Sequence, residues 1–119
     1  MKNLLCFFLL VFPFLLSAQK GKEQTGTASY YAKKFEGKRT SSGEKFSNKK
    51  LTAAHKTFPY GTRLKVTTLS NNKSVIAVVN DRLQKKSTRC SDLSQKAAKE
   101  LDFIRAGKTK VKIEIIKEE

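Results

Sequence analysis

Period-two alternation constrains this chain more than any other feature. From Arg63 to Leu69, the residues Leu64, Val66 and Thr68 alternate with Lys65 and Thr67. Thr109 to Ile116 repeats the pattern, with Val111, Ile113 and Ile115 set against Lys110, Lys112 and Glu114. Successive strand side chains point to opposite faces, so each stretch is expected to bury one face and wet the other. Ser74 to Val79 adds a β-branched run. The turn cluster Ser70-Asn71-Asn72-Lys73 joins it to the preceding stretch, which reads as a hairpin. Only Ser94 to Leu101 has convincing helical spacing, through Ala97, Ala98 and Leu101, with Asp92 or Ser94 as its cap. Such a chain is mainly β. Closure into a small barrel carrying one helix is expected, because it leaves few strand edges exposed.

Further elements fit that frame. Thr27 to Ala32, with Tyr30 and Tyr31 side by side, suits a first strand, and Leu51 to His55 is a short apolar segment before the turn Pro59-Tyr60-Gly61. Phe35 to Gly43 and Leu83 to Ser91 read as long surface loops. At the start, Met1-Lys2-Asn3 is followed by an apolar run from Leu4 to Leu16 broken only by Pro13, then by the small residues Ser17-Ala18. This is the pattern of a signal peptide over residues 1–18, and the run is short of the roughly 20 apolar residues of a spanning helix. Cys6 lies inside the apolar run rather than at the cleavage point, so no lipid anchor is expected. Residues 19–26 read as a flexible leader and 27–119 as one domain. The product is expected to be exported, periplasmic or extracellular, and soluble with no stable membrane anchor after cleavage.

Charge narrows the partners. The chain has 25 Lys and Arg against 10 Asp and Glu, a formal net charge of +15, which loss of Lys2 with the signal lowers by one. Such a field favours polyanions. The export signal directs that expectation to anionic wall polymers, not nucleic acid. The basic residues are spread along the chain, so a merely soluble lysine-rich surface is the plain alternative. Loss of Cys6 leaves Cys90 alone, so no internal disulfide is expected and the thiol reads as buried or tolerated rather than nucleophilic.

Four residues stand out chemically. Asp81 ends the run Val78-Val79-Asn80-Asp81-Arg82, Asp92 opens Asp92-Leu93-Ser94, Glu44 follows a glycine in a loop, and His55 is the only histidine. Paired carboxylates in a cleft can cut a glycosidic bond, one donating a proton while another stabilises positive charge or activates a nucleophile. His55 is then expected to orient a carboxylate or share its proton. Each also has a plain reading. Asp92 with Gln95 fits a capping box, Asp81 a pair with Arg82 or a turn cap, Glu44 a solvated side chain and His55 a structural one. One histidine and scattered carboxylates give no metal-ligand spacing, and neither a phosphate loop nor a nucleophile elbow occurs, so no metal or cofactor is expected.

The blocks Ala28-Ser29-Tyr30-Tyr31, Phe35 to Glu44, Leu51 to Thr57, Val78 to Arg82 and Asp92-Leu93-Ser94 resemble the rare lipoprotein A family of septal-ring lytic transglycosylases. The resemblance runs from Gly26 to Ile116. It implies a six-stranded double-psi β-barrel with one or two short helices, the fold of expansins and of part of other murein transglycosylases. It also implies a lytic transglycosylase that cleaves the bond between N-acetylmuramic acid and N-acetylglucosamine and leaves 1,6-anhydro ends, in wall remodelling or daughter-cell separation. A non-catalytic, expansin-like wall-binding module is the alternative. By that resemblance Glu44, His55 and Asp81 fall on catalytic positions, and Asp92 on the aspartate of the expansin cleft. Tyr30 stands where the family has Trp and is expected to stack on a sugar. Tyr31, Lys56, Thr57, Asn80 and Arg82 of the same blocks are expected to bind glycan. Two departures, Leu83-Gln84 for Gly-Pro and Cys90-Ser91 for an apolar pair, alter the loop between the aspartates.

Overall fold

Both alternating stretches become strands that bury the expected face. The computed structural model describes residues 22–116, and the expected signal segment lies outside them. Among the described residues the strands are β1 (Glu23–Tyr30), β2 (Thr52–His55), β3 (Arg63–Thr68), β4 (Ser74–Arg82), β5 (Ser91–Leu93) and β6 (Thr109–Ile115), with a 3-10 turn at Lys33–Phe35 and one helix, α1 (Gln95–Glu100). Leu64, Val66 and Thr68 of β3 and Val111 and Ile113 of β6 are fully buried. β3 and β4 form the expected antiparallel hairpin, and Asn72 at its tip takes a φ of 63°. The turn is fastened to the rest of the fold by Asn71 Nδ2, which donates to Leu101 O at 3.0 Å.

The sheet closes on itself in the order β1-β5-β2-β4-β3-β6. Two of the pairings are parallel, β1 with β5 and β2 with β4, and the others are antiparallel. Closure leaves no free edge among these strands. It also corrects the leader: Glu23 to Gly26 are not loose but pair with Glu114 to Val111 of β6. That tract has little apolar content, and backbone hydrogen bonds to β6 bring it into the barrel.

β2 is buried on both faces, which its small residues Ala53 and Ala54 allow at the crowded middle of the barrel. Helix α1 packs on β4 and β1 and adds Ala97, Ala98 and Leu101 to the core. Its cap is Ser94, whose Oγ accepts from Ala97 N at 3.3 Å. Asp92 is not the cap; it belongs to β5. Gln95, the supposed partner in a capping box, instead donates through Nε2 to Tyr31 O at 2.9 Å. Cys90 is buried, as read from the sequence, and lies against Gly26, where a Cβ would meet Cys90 Cβ at 3.0 Å and Sγ at 3.2 Å.

Candidate active site

Strand register brings the two aspartates together. Ser29 of β1 is level with Asp92 of β5, Asp92 with Ala54 of β2, and Ala54 with Asp81 of β4. The carboxylates therefore flank one small residue in a single lateral row, two strand spacings or roughly 10 Å apart along the backbone. The β2–β4 register shifts between Ala53 and Ala54, skipping Asn80. Alternation along β4 breaks at the same place: Val79 and Asn80 are both buried and Asp81 is half-buried. An irregularity of this kind re-aims the side chain that follows it. Asn80, turned inward, donates to Glu44 Oε1 at 3.2 Å.

Asp81 and Asp92 line one cleft of about 420 Å³, together with Tyr31, Phe35, Arg89 and the Arg82–Ser87 segment. The Phe35–Gly43 loop closes over one side of it. It is held by Gly37 N to Phe46 O at 2.9 Å and Phe46 N to Lys38 O at 2.7 Å. The loop delivers Ser41 N to Asp81 Oδ1 at 2.9 Å. Arg82 N donates to the same oxygen at 2.9 Å, and Tyr31 Oη donates to Oδ2 at 2.5 Å. Burial alone would raise the pKa of Asp81, but these donors outweigh it and hold the carboxyl below its ordinary value. Tyr31 is stacked on Phe46 with ring centroids 4.2 Å apart and meets Phe35 edge-on. Burial first, then its bond to Asp81, keeps its phenol well above the usual tyrosine range.

Asp92 is held differently. Arg89 grips it in a fork, Nε to Oδ1 at 2.7 Å and the terminal nitrogen to Oδ2 at 3.1 Å. Ser29 Oγ adds a hydrogen bond at 2.5 Å. A planar guanidinium on both carboxylate oxygens fixes orientation as well as charge. Neither Arg89 nor Ser29 stood out in the sequence. Ser29 becomes a neighbour only through a parallel pairing, and Arg89 looked like one more basic residue of a loop.

His55 departs from its expected role. It is 4% exposed, and both ring nitrogens are engaged. Nδ1 accepts from Thr57 N and Phe58 N, each at 3.1 Å, which leaves the proton on Nε2 to be donated to Gln24 Oε1 at 2.8 Å. Burial, then the positive charge of Arg82 and Lys56, lowers its pKa, so it is neutral at pH 7. Its ring stacks on Phe58 and opens on a smaller cavity that includes Gln24 and Cys90 and shares Arg89 with the aspartate cleft. Among the described residues no carboxylate is hydrogen-bonded to its ring.

The binding candidates divide. Tyr30 is held against the core: its ring packs edge-on to Phe103 and its hydroxyl donates to Ile104 O at 2.7 Å. Phe35 is 38% exposed on the cleft wall. Arg82 lines the cleft, but its guanidinium donates to Phe58 O at 2.9 Å and covers the Tyr60 ring at 4.2 Å. Lys56 Nζ donates to Ser87 O at 2.6 Å and so ties the Leu83–Ser91 loop to β2. Thr57 is exposed and meets His55 through its backbone. Within the altered loop Leu83 is buried, Gln84 faces the cleft, and Ser91 Oγ donates to Ala54 O at 2.8 Å. Among the described residues no three His, Cys, Asp or Glu side chains are placed to share a metal ion.

A closed six-stranded barrel with mixed parallel and antiparallel pairing and two aspartates in one lateral row defines a double-psi β-barrel domain with a carboxylate cleft. The family described as "Lytic transglycolase" matches residues 23–113, and the chain belongs to it. The endolytic peptidoglycan transglycosylase RlpA of Rickettsia felis is 50% identical over 103 residues, 84% of this chain and 45% of that protein. Its counterpart in Campylobacter jejuni is 47% identical over 96 residues, 81% of this chain and 35% of that protein. The chain thus spans less than half the length of these relatives. Among solved structures, Streptomyces papain inhibitor aligns with a TM-score of 0.66 at 20% identity, covering 82% of this chain and 97% of that one. The Clavibacter michiganensis expansin aligns with a TM-score of 0.66 at 17% identity, covering 82% and 52%. At these identities both likenesses speak to fold alone.

Proposed function

We propose that this protein is an exported bacterial peptidoglycan lytic transglycosylase, periplasmic or extracellular, acting in wall remodelling or daughter-cell separation. It cleaves the β-1,4 bond between N-acetylmuramic acid and N-acetylglucosamine. The observation that carries this reading is the pair of aspartates flanking Ala54 in one cleft, in a chain of the lytic transglycolase family. Asp81 is the acid and base. Its donors are uncharged (a phenol, two backbone N–H groups and the Ser41 hydroxyl), so taking up a proton leaves no cation stranded. Asp92 has both oxygens engaged by the Arg89 fork, which fixes it as the charge-stabilising partner.

Glycan seated against Phe35 excludes water, which disfavours the charged form of Asp81 and draws a proton onto it. That proton passes to the leaving O4 of N-acetylglucosamine as the C1–O4 bond breaks. Asp92 stabilises the positive charge at C1 of the muramyl sugar. The muramyl C6 hydroxyl closes on C1 and returns its proton to Asp81, forming the 1,6-anhydro ring with no water consumed. Glu44 acts through Asn80, and His55 acts by fixing the β2 turn.

The expansin-like alternative, binding without cleavage, draws on the depressed pKa of Asp81, which leaves it ionised in the empty cleft. A solved expansin variant has been captured in complex with cellohexaose. Incubation with purified sacculi followed by mass spectrometry of soluble products separates the two. Anhydro-muropeptides that disappear in Asp81→Asn support the enzyme. Folded protein that binds sacculi yet releases none supports the binding module.

A further inference from the structure

A lysine-lined concavity lies behind the turn that carries Phe35. Lys33, Lys49, Lys96 and Lys99 surround a hollow of about 700 Å³. They come from three separate segments: the 3-10 turn, the 47–50 loop and helix α1. Those segments are laced together at the base. Glu36 Oε1 accepts from Asn48 N at 2.9 Å, Asn48 Oδ1 accepts from Gln95 N at 2.8 Å, and Asn48 O accepts from Lys96 N at 3.1 Å. The lysine backbones are therefore held in place relative to one another.

None of the four ammonium groups has an anionic partner among the described residues. The ion pairs there join Lys73 to Asp102, Arg89 to Asp92 and Lys112 to Glu114, all elsewhere. Glu36, the one acid in the hollow, already accepts a hydrogen bond from the Asn48 backbone. Four like charges around one hollow repel one another, and an anion entering it relieves that repulsion. Lysines are point charges on flexible stems, suited to a polymer whose charges can shift in register.

We infer that this hollow is a docking site for a linear wall polyanion whose repeating phosphate or carboxylate groups supply closely spaced anionic oxygens. The choice of a wall polymer rests on the export and wall reading; the site itself does not depend on catalysis. Lys33 and Phe35 share one turn, so a polymer held in the hollow ends at the rim of the aspartate cleft.

The test measures binding of poly(glycerol phosphate) and of polygalacturonate by calorimetry over a salt series, with no cleavage involved. One variant carries Lys33→Gln, Lys49→Gln, Lys96→Gln and Lys99→Gln. A charge-matched control carries Lys22→Gln, Lys65→Gln, Lys108→Gln and Lys110→Gln, all exposed positions away from the hollow. The hollow variant is expected to bind at least about tenfold more weakly, with a salt slope shallower by roughly 3, while the control loses less than about threefold. Binding of one polymer or of both identifies the source of the anionic oxygens. Equal losses in the two variants, no binding of either polymer by the unaltered protein, or tighter binding of single-stranded DNA would each overturn the proposal.

Discussion

Replacing Tyr31 with Phe removes one hydrogen bond from Asp81 and leaves the packing on Phe46 and Phe35 in place. A hydrogen bond to a charged group is worth about 1.5–3 kcal/mol, and one pKa unit corresponds to about 1.4 kcal/mol. Ser41 N and Arg82 N still serve the carboxylate, and solvent reaches the half-buried cleft, so the effect is trimmed to about 1 kcal/mol. The pKa of Asp81 is expected to rise. If Asp81 is the acid, the alkaline limb of the pH–activity profile rises with it. A carbon-detected NMR titration of the Asp81 carboxyl, run beside muropeptide release across pH, reads both. Stability carries the same signature. The folded pKa of Asp81 lies below its unfolded value, so its contribution is complete above about pH 4 and is lost as pH falls through the folded value. Tyr31→Phe should therefore cost about 1 kcal/mol at neutral pH, and the gap should narrow in acid. An Asp81 pKa that stays put or falls in the variant refutes the reasoning.

Three other substitutions separate scaffold from chemistry. His55→Gln strands the N–H groups of Thr57 and Phe58 and loses the stack on Phe58, costing about 2 kcal/mol in urea unfolding. Because the folded pKa of His55 is lowered, wild-type stability should be full above about pH 6.5 and decline as pH falls below it, a slope the variant lacks. Gly26→Ala places a methyl 3.0 Å from Cys90 Cβ and should cost about 1–3 kcal/mol, with a lowered melting temperature and an intact far-ultraviolet spectrum. Ser94→Ala removes the cap of α1 and should cost about 1 kcal/mol by the same measurement, without moving the pH–activity limbs.

The strands were legible because their signal is local. Leu64, Val66, Val111 and Ile113 announce their faces by alternation, and Ser94 carries the chemistry of a cap in its hydroxyl. Asp81 at the end of a buried run was legible for the same reason. Tyr30 and Tyr31 were not separable. Adjacent residues face opposite ways, and only the finished barrel puts one hydroxyl on Ile104 O and the other on Asp81. Residues 23–26 misled because glycine and polar side chains mimic a linker, while their order comes from backbone pairing to β6, some ninety positions along the chain.

Sequence alone thus determined a mainly β domain, one short helix, a strongly basic surface and a short set of acids worth watching. Tertiary structure decided which acids meet. Parallel pairing of β5 with β1, its antiparallel pairing with β2, and the register shift between β2 and β4 set Asp92 and Asp81 on either side of Ala54. The same closure gave Asp92 a cation in Arg89, left Asp81 with uncharged donors, and drew His55 into a network with Gln24 that excludes both. Local periodicity fixes which face a residue occupies. Only long-range register fixes what stands beside it, and the state of a carboxylate depends on that neighbour.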